Sequence, residues 1–449
     1  MIPKKSISVP AGAHRELYFT PKELRARASS YYLYNFREVD GALVLTEGLT
    51  KGVNFKDRFT RIATAKKGTI DTYMFFKSEG EVHFYNAIGI NLTIRGTYSV
   101  KRFLTCPIPE GDTAYVTVSP RKLVVNNASG NRISLLELSE GGECGAVYFE
   151  RFFTAEGDIV RYAALHDPHA LLLKCDPVDD PSAITETPQG AGRFRMHDRA
   201  FGNIVEMASY REGLYFFRER GVTRLTGGAD PTDFHLEDLH VKGYRAPLSE
   251  SLIVCGGLVY YFTVDGKLCS FNGEKVQELD DPVVRFIDFT SAVHAERHDG
   301  RYYCLVVRTD GDKCIYCYDP ISGAGFFFAK GLVALGEGLT GQLGISSGFS
   351  KRGWFFEAGT NIVLETTVEP VSDKTFVLES IAVEGKGTFA VTISTENEAR
   401  ELAAVAGECV HLSTPLRAKE FKVKIESDYI ESVRVEGIRL CGTEVARED

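Results

Sequence analysis

The sequence predicts an all-β protein, a six- or seven-bladed β-propeller followed by a small C-terminal β-sandwich, and three features carry that expectation. The first is a run of hairpin-like units between Met207 and Pro320: Gly213-Leu-Tyr-Phe-Phe-Arg-Glu-Arg-Gly-Val-Thr-Arg-Leu225, Leu258-Val-Tyr-Tyr-Phe-Thr-Val-Asp-Gly-Lys-Leu-Cys-Ser-Phe271 and Arg301-Tyr-Tyr-Cys-Leu-Val-Val-Arg-Thr-Asp-Gly-Asp-Lys-Cys-Ile-Tyr-Cys-Tyr318. In each, β-branched and aromatic residues meet a turn glycine and then resume, and two of the turns carry Asp-Gly, the strongest short-range hairpin signal. The second is spacing. Gly221, Gly266 and Gly311 stand 45 residues apart, and a fixed period of about 40 to 50 residues holding only strands marks a propeller blade. The third is a change of pattern after Glu365, where short segments of strict apolar–polar alternation replace the aromatic hairpins.

At 449 residues the chain has room for one large ring and a further module. Its 29 Phe and 20 Tyr suit strands, and its 43 Gly supply tight turns. A formal net charge of −9 argues against a surface built to hold nucleic acid, which needs Lys and Arg to neutralise phosphates. The pairs Lys66-Lys67 and Lys101-Arg102 are too short to reverse this. No specific nucleic-acid binding and no membrane association are expected. The charge in Met1–Pro10 has no apolar run behind it, and no stretch of about 18 uninterrupted apolar residues occurs, so the chain is expected to be cytoplasmic when made. Ten cysteines spread singly over strand-like segments read as buried small hydrophobes in a reducing compartment.

Residues 1–30 read as an irregular arm, punctuated by Pro3, Pro10, Gly12 and Pro21, with Pro21–Arg27 as a short helical turn. Tyr31–Phe36, the Asp40-Gly41 turn and Ala42–Gly48 read as a hairpin placed to pair with the last blade, which closes the ring and removes an exposed sheet edge. The period extends outward to Thr72–Tyr85 turning at Gly80, Lys122–Leu136 turning at Gly130 and Gly353–Leu364 turning at Gly359. Ala170–Cys175 stands in the double gap between Gly130 and Gly221; counting it gives seven blades and omitting it six, over residues 31–367. Residues 368–449 form the sandwich. There Phe376–Gly385 is echoed by Ile430–Gly437, with Phe389–Ser394 and Glu420–Glu426 alternating strictly between them.

No catalytic, cofactor-binding or metal-ligating residue is assigned, and no cofactor is expected. Cys314-Ile-Tyr-Cys317 has redox or metal spacing, but residues three apart on a strand point to opposite faces, and no second pair stands at zinc-finger distance. His166 and His169 lie in a turn that needs Asp176, Asp179 and Asp180 to fold back as further ligands. His294 and His298 have helical spacing in a segment that reads as a strand end. Asp176–Pro181 lacks the spaced carboxylates and terminal glutamate of an EF-hand loop. Gly190-Ala-Gly192 and the glycines at 336, 338, 341 and 344 open no helix after a strand as phosphate loops do, and no Gly-x-Ser-x-Gly element is present.

Two alternatives stand beside a non-enzymatic reading. A propeller-type glycosidase needs two carboxylates about 5 to 10 Å apart, and the 61 acidic residues show no spacing that selects a pair. A kelch-like interaction propeller rests on Cys255-Gly-Gly-Leu-Val-Tyr-Tyr261 and Tyr318-Asp-Pro-Ile-Ser-Gly323, although the glycine pair Gly256-Gly257 occurs in one unit only.

The ordered set Gly221-Val-Thr-Arg-Leu-Thr-Gly227, Asp230-Pro-Thr-Asp-Phe234, Gly243-Tyr-Arg-Ala-Pro-Leu-Ser249, Val259-Tyr-Tyr-Phe-Thr-Val-Asp-Gly266 and Phe271-Asn-Gly273 resembles a recurring blade of tailed-bacteriophage virion propellers. It is similar to the packaged-DNA stabilisation or tail-hub proteins of short-tailed phages and related prophage structural proteins. Asn35-Phe-Arg-Glu-Val-Asp-Gly-Ala-Leu43 followed by Gly48 resembles the opening of the same proteins, with Glu47-Gly48 where they carry Pro-Gly or similar. The resemblance implies a non-enzymatic structural protein of the tail or head–tail connector, a docking and channel-sealing scaffold. Its partners would be virion neighbours such as the portal or adaptor ring, with homo-oligomers possible, and its final location the virion. The terminal sandwich would be a second docking surface or a glycan-facing module, and an acidic surface would let DNA slide past without sticking.

Overall fold

Among the described residues between 61 and 347 the strands pair antiparallel with a sequence neighbour, as turns between aromatic and β-branched runs dictate, except Gly192–Arg195, which pairs with Ile159–Ala164. The computed structural model describes residues 14–28, 30–45, 61–67, 70–77, 81–86, 91–95, 101–107, 113–119, 122–127, 132–137, 142–171, 190–328, 332–337, 343–347, 362–370, 374–427 and 433–445. By its contacts the chain divides into two units, residues 50–320 with 330–355, and residues 1–49 with 321–329 and 356–449.

The larger unit is a β-propeller. Among its described residues, seven antiparallel strand groups follow one another at 61–95, 102–137, 144–195, 204–239, 253–279, 294–319 and 332–347. The opening strand of each group lies beside the opening strand of another. Arg61–Lys67 neighbours Leu332–Glu337, which neighbours His294–His298, and the series continues through Ile253–Cys255, Ile204–Tyr210 and Cys144–Tyr148 to Arg102–Pro107. The opening strands therefore form the inner wall of the ring.

Gly221, Gly266 and Gly311 all fall in the turn between the second and third strand of their groups, so the 45-residue spacing is a true blade period. Their physical reasons differ. Gly266 (φ +79°) and Gly311 (φ +87°) occupy left-handed backbone, whereas at Gly221 the ring of Phe201 would stand 2.3 Å from any Cβ. Two of the outlying units lie elsewhere than expected. The third group is built from Cys144–Tyr148, Arg151–Glu156 and Ile159–Ala164, not around Ala170–Cys175. Ile362–Leu364 belong to a strand of the smaller unit, while Gly80, Gly130 and Gly359 lie outside the described residues.

Aromatic rings fill the space between adjacent groups. Phe153, Tyr162, Phe194, Phe216 and Phe234 share one core, and Tyr215, Phe217, Tyr261 and Phe271 share the next. Phe217 meets Phe271 and Tyr261 edge-on at centroid distances of 5.4 and 5.7 Å, a geometry that adds to their burial. Tyr261 is completely buried and its hydroxyl has no hydrogen-bond partner among the described residues. Burial also pushes this phenol well above its ordinary range. Tyr261→Phe removes only an unsatisfied polar atom, so it is expected to leave stability unchanged or to raise it by up to about 2 kcal/mol in denaturant unfolding. A loss above about 1 kcal/mol would show that the hydroxyl is satisfied in solution.

The smaller unit contains two sheets. One orders Phe36–Val39, Ala42–Leu45, Arg434–Val445, Thr375–Lys386 and Cys409–Ala418, with His14–Phe19 also on Arg434–Val445. The other runs from Ala324–Phe328 through Tyr31–Tyr34, Ile362–Val368, Phe421–Ser427 and Thr388–Ser394 to Ala399–Val405. Alternate residues are buried along Thr388–Ser394 and Phe421–Ser427, as the alternation predicts.

The division differs from the linear one of 1–30, 31–367 and 368–449. His14–Phe19 is a paired strand rather than irregular arm, and Tyr31–Tyr34 pairs with Ile362–Val368 on one side and with Ala324–Phe328 on the other. Pro21–Arg27 is a helix, capped reciprocally by Thr20 and Glu23. Asn35, at φ +56°, breaks the chain between the two sheets, a conformation Asn tolerates well.

Candidate functional site

Four strand groups of the propeller send charged side chains to the inner wall. Arg102 opens the strand Arg102–Pro107, Glu206 lies on Ile204–Tyr210, Glu250 precedes Ile253–Cys255, and His294 and Glu296 share His294–His298. Arg102 donates from Nη2 to Glu206 Oε2 at 3.2 Å and to the Leu252 carbonyl at 2.8 Å. Burial opposes its charge, but Glu206, Glu296 and Glu250 more than offset this and hold the guanidinium above its ordinary range. Glu206 is 2% exposed and also accepts from the backbone N–H of Glu250 at 3.0 Å.

His294 sits between two carboxylates. Its Nε2 is 3.1 Å from Glu296 Oε1 and its Nδ1 3.5 Å from Glu250 Oε2, with the imidazole itself buried. Glu250 reaches this position from left-handed backbone, φ +65°, a strained state for a residue with a side chain. Local bonds hold it there: the Glu250 carbonyl accepts from Ala295 N at 2.9 Å, and Tyr302 donates its hydroxyl to Ser251 O at 2.8 Å. Three carboxylates face one guanidinium and one imidazole. The arrangement holds four strand groups together across the inner wall and keeps it acidic. No group of three or more His, Cys, Asp or Glu placed to hold a metal ion occurs among the described residues.

The sequence singled out only His294 from this set. His298 lies at the far end of the same strand against the Tyr303 ring and does not join it. His166 Nε2 lies 3.0 Å from Glu150 Oε2, while the His169 side chain and Asp176, Asp179 and Asp180 lie outside the described residues. Cys314 and Cys317 are both fully buried. No disulfide joins the described cysteines, and burial raises the thiols of Cys106, Cys255 and Cys269 to about 12. These thiols are inert small hydrophobes. Gly190 and Gly192 precede or open the short strand Gly192–Arg195 and no helix.

No family model matches the chain, and no curated protein matches it. Solved structures similar to it are propeller-like. Virginiamycin B lyase from Staphylococcus aureus matches at 9% identity and TM-score 0.47, covering 69% of this chain and 99% of its own. BBS1N, solved in complex with ARL6DN, matches at 7% identity and TM-score 0.43, covering 69% and 98%. Kluyveromyces lactis Hsv2 matches at 11% identity and TM-score 0.39, covering 71% and 95%. At such values the likeness says nothing of activity or partners.

Proposed function

We propose that the protein is a non-enzymatic structural component of a phage or prophage particle, a docking and channel-sealing scaffold of the tail or head–tail connector. One observation carries this reading beyond the sequence resemblance: the residues of the resembling segment brace one blade against the neighbour on each side. Gly221 makes room for Phe201, and Asp230 caps the turn Pro231–Asp233 through Thr232 N at 2.9 Å. Phe234 and Phe271 enter the two aromatic cores, and the Tyr244 hydroxyl bonds the Arg218 carbonyl. A motif spent on bracing suits a part that bears load and docks.

The test is mass spectrometry of particles purified after inducing the source organism. Peptides of this chain are expected in stoichiometric amounts beside capsid and portal proteins; their absence from particles, with abundance in the soluble lysate, sinks the proposal. A propeller-type carbohydrate-active enzyme is the second reading, favoured by the convergence of Glu206, Glu250 and Glu296 at the inner wall. It requires hydrolysis of some member of a glycoside panel that Glu250→Gln or Glu296→Gln abolishes.

A further inference from the structure

We propose that Cys409 and Cys441 of the smaller unit are a two-thiolate binding site for a soft monovalent metal ion, Cu(I) or its analogue Ag(I). The inference concerns the C-terminal strands alone and is independent of the reading above.

Strand register places the pair. Thr375–Lys386 runs between Cys409–Ala418 and Arg434–Val445, with Ser380 opposite Cys441 on one side and opposite His411 on the other, and with Ala382 opposite Cys409. Residues two apart on a strand share a face, so Ser380, Ala382, Cys409 and Cys441 stand on the same side of the sheet. That side points away from the core: the alternate residues Ile381, Val383 and Leu440 are fully buried. Cys409 is exposed and Cys441 half-buried, whereas the other seven described cysteines are buried. Both sulfurs meet at one hydroxyl. Cys409 Sγ donates to Ser380 Oγ at 3.2 Å, and the Ser380 side chain also hydrogen-bonds the Cys441 thiol. Two such contacts to a single oxygen hold the sulfurs within about 7 Å of each other.

What the pair can do follows from the strand that separates it. Cysteines on alternate strands have their Cα atoms at least two strand spacings apart, about 9.5 Å, and a disulfide needs less than about 7 Å. Oxidation therefore does not close this pair into a disulfide. A metal ion spans more, because a linear thiolate–metal–thiolate unit sets the sulfurs about 4.6 Å apart, twice a bond of about 2.3 Å. Rotation about χ1 of each cysteine, with Ser380 Oγ displaced, brings the sulfurs to that separation.

The donor set then selects the ion. No group of three or more His, Cys, Asp or Glu placed to hold a metal occurs among the described residues, so the four ligands of structural Zn²⁺ are not supplied, nor the six to eight oxygens of Ca²⁺. Soft thiolates without further donors suit Cu(I). Burial raises the Cys441 thiol, and its proton leaves when the metal takes its place. Two protons pass to solvent for each Cu⁺ that enters, no electron is transferred, and the bis-thiolate complex carries one negative charge.

The experiment titrates the full chain anaerobically with Cu(I) against a colorimetric Cu(I) chelator, with Ag(I) as the redox-silent check. Cys175, which lies outside the described residues, is first replaced as Cys175→Ser. One ion per chain is expected, and X-ray absorption at copper should show two sulfur neighbours at about 2.2–2.3 Å. Cys409→Ser and Cys441→Ser should each weaken binding at least about a hundredfold, the loss expected when a second ligand held at high effective concentration is removed. Cys409 is exposed, so its variant should keep the parent's melting point; the absorption measurement needs no variant and decides alone if Cys441→Ser fails to fold. A single sulfur neighbour marks an adventitious ion on one thiol and overturns the proposal. So does binding within about threefold of the parent in Cys409→Ser, or the absence of one-to-one binding.

Discussion

Replacing Arg102 by Met is expected to cost the propeller about 3–5 kcal/mol, because Glu206 would be left buried without its cation and the Leu252 carbonyl without its donor. The magnitude follows from the asymmetry of buried ion pairs. The attraction between the partners is largely cancelled by what it cost to desolvate them, so the intact pair contributes little net, while half a pair is a buried charge with nothing to offset it. The double substitution Arg102→Met/Glu206→Gln should therefore recover most of the loss. Gln keeps an oxygen that can accept from Glu250 N and removes the orphaned charge. Equilibrium unfolding of the two single variants and the double gives the coupling directly. Additive losses, with no recovery in the double, would mean that the two groups do not interact in solution.

Arg218→Met is expected to cost a similar amount, about 3–5 kcal/mol, for a different reason. Arg218 is fully buried and holds a loop rather than another charge in first place: Nε donates to Gly202 O at 2.9 Å, Nη2 to Asp198 O, and Nη1 to Thr223 Oγ1 at 3.3 Å, with Asp238 at 3.8 Å. Its guanidinium also lies 5.5 Å from the centre of the Phe201 ring. Methionine replaces the stem but none of the donors, so the Gly202 carbonyl loses the guanidinium and the Asp198 carbonyl keeps only the Phe201 N–H at 3.4 Å. Arg218→Lys should recover only part of the loss, since an ammonium lacks the planar fork that reaches three acceptors at once. Limited proteolysis offers a local readout: both variants should be cut faster between Asp198 and Asn203, with Met the more sensitive. Equal resistance in all three proteins would show that the loop is held by other contacts.

The blade period was legible because the chain happens to place glycine at the same turn of three successive groups. It failed upstream for a reason visible at Gly157, which occupies the corresponding turn of the third group, φ +60°. Gly157 stands 64 residues before Gly221, 19 more than the period, and an extra segment between Leu171 and Gly192 accounts for the difference. A search for even spacing steps past that turn and settles on Ala170–Cys175 instead. The inner-wall cluster had no sequence signal as a set. Arg102, Glu206, Glu250, His294 and Glu296 come from four strand groups, and no spacing rule relates them until the ring brings their opening strands together. His294 was visible only as a member of a His pair whose other member lies elsewhere. A strained turn at Phe149 and Glu150, φ +48° and +59°, was invisible for another reason, since Phe-Glu contains none of the residues that favour turns.

The smaller unit draws on three separated stretches of chain, and this sets a schedule for its birth on the ribosome. Tyr18 donates its hydroxyl to Glu436 O across 418 residues of sequence, and His14–Phe19 pairs with Ile438–Thr443. At about 5–20 residues per second, the early strand waits on the order of tens of seconds for its partner, while the blades between them complete from local pairings. During that interval His14–Phe19 is an unclaimed edge, and Tyr31–Tyr34 is one until Ile362–Val368 is made, both open to other nascent chains. A nascent chain released before residue 434 would carry finished blades and a permanently unpaired amino-terminal strand. Premature termination of this protein would thus show itself as clumping at its beginning rather than as damage at its end.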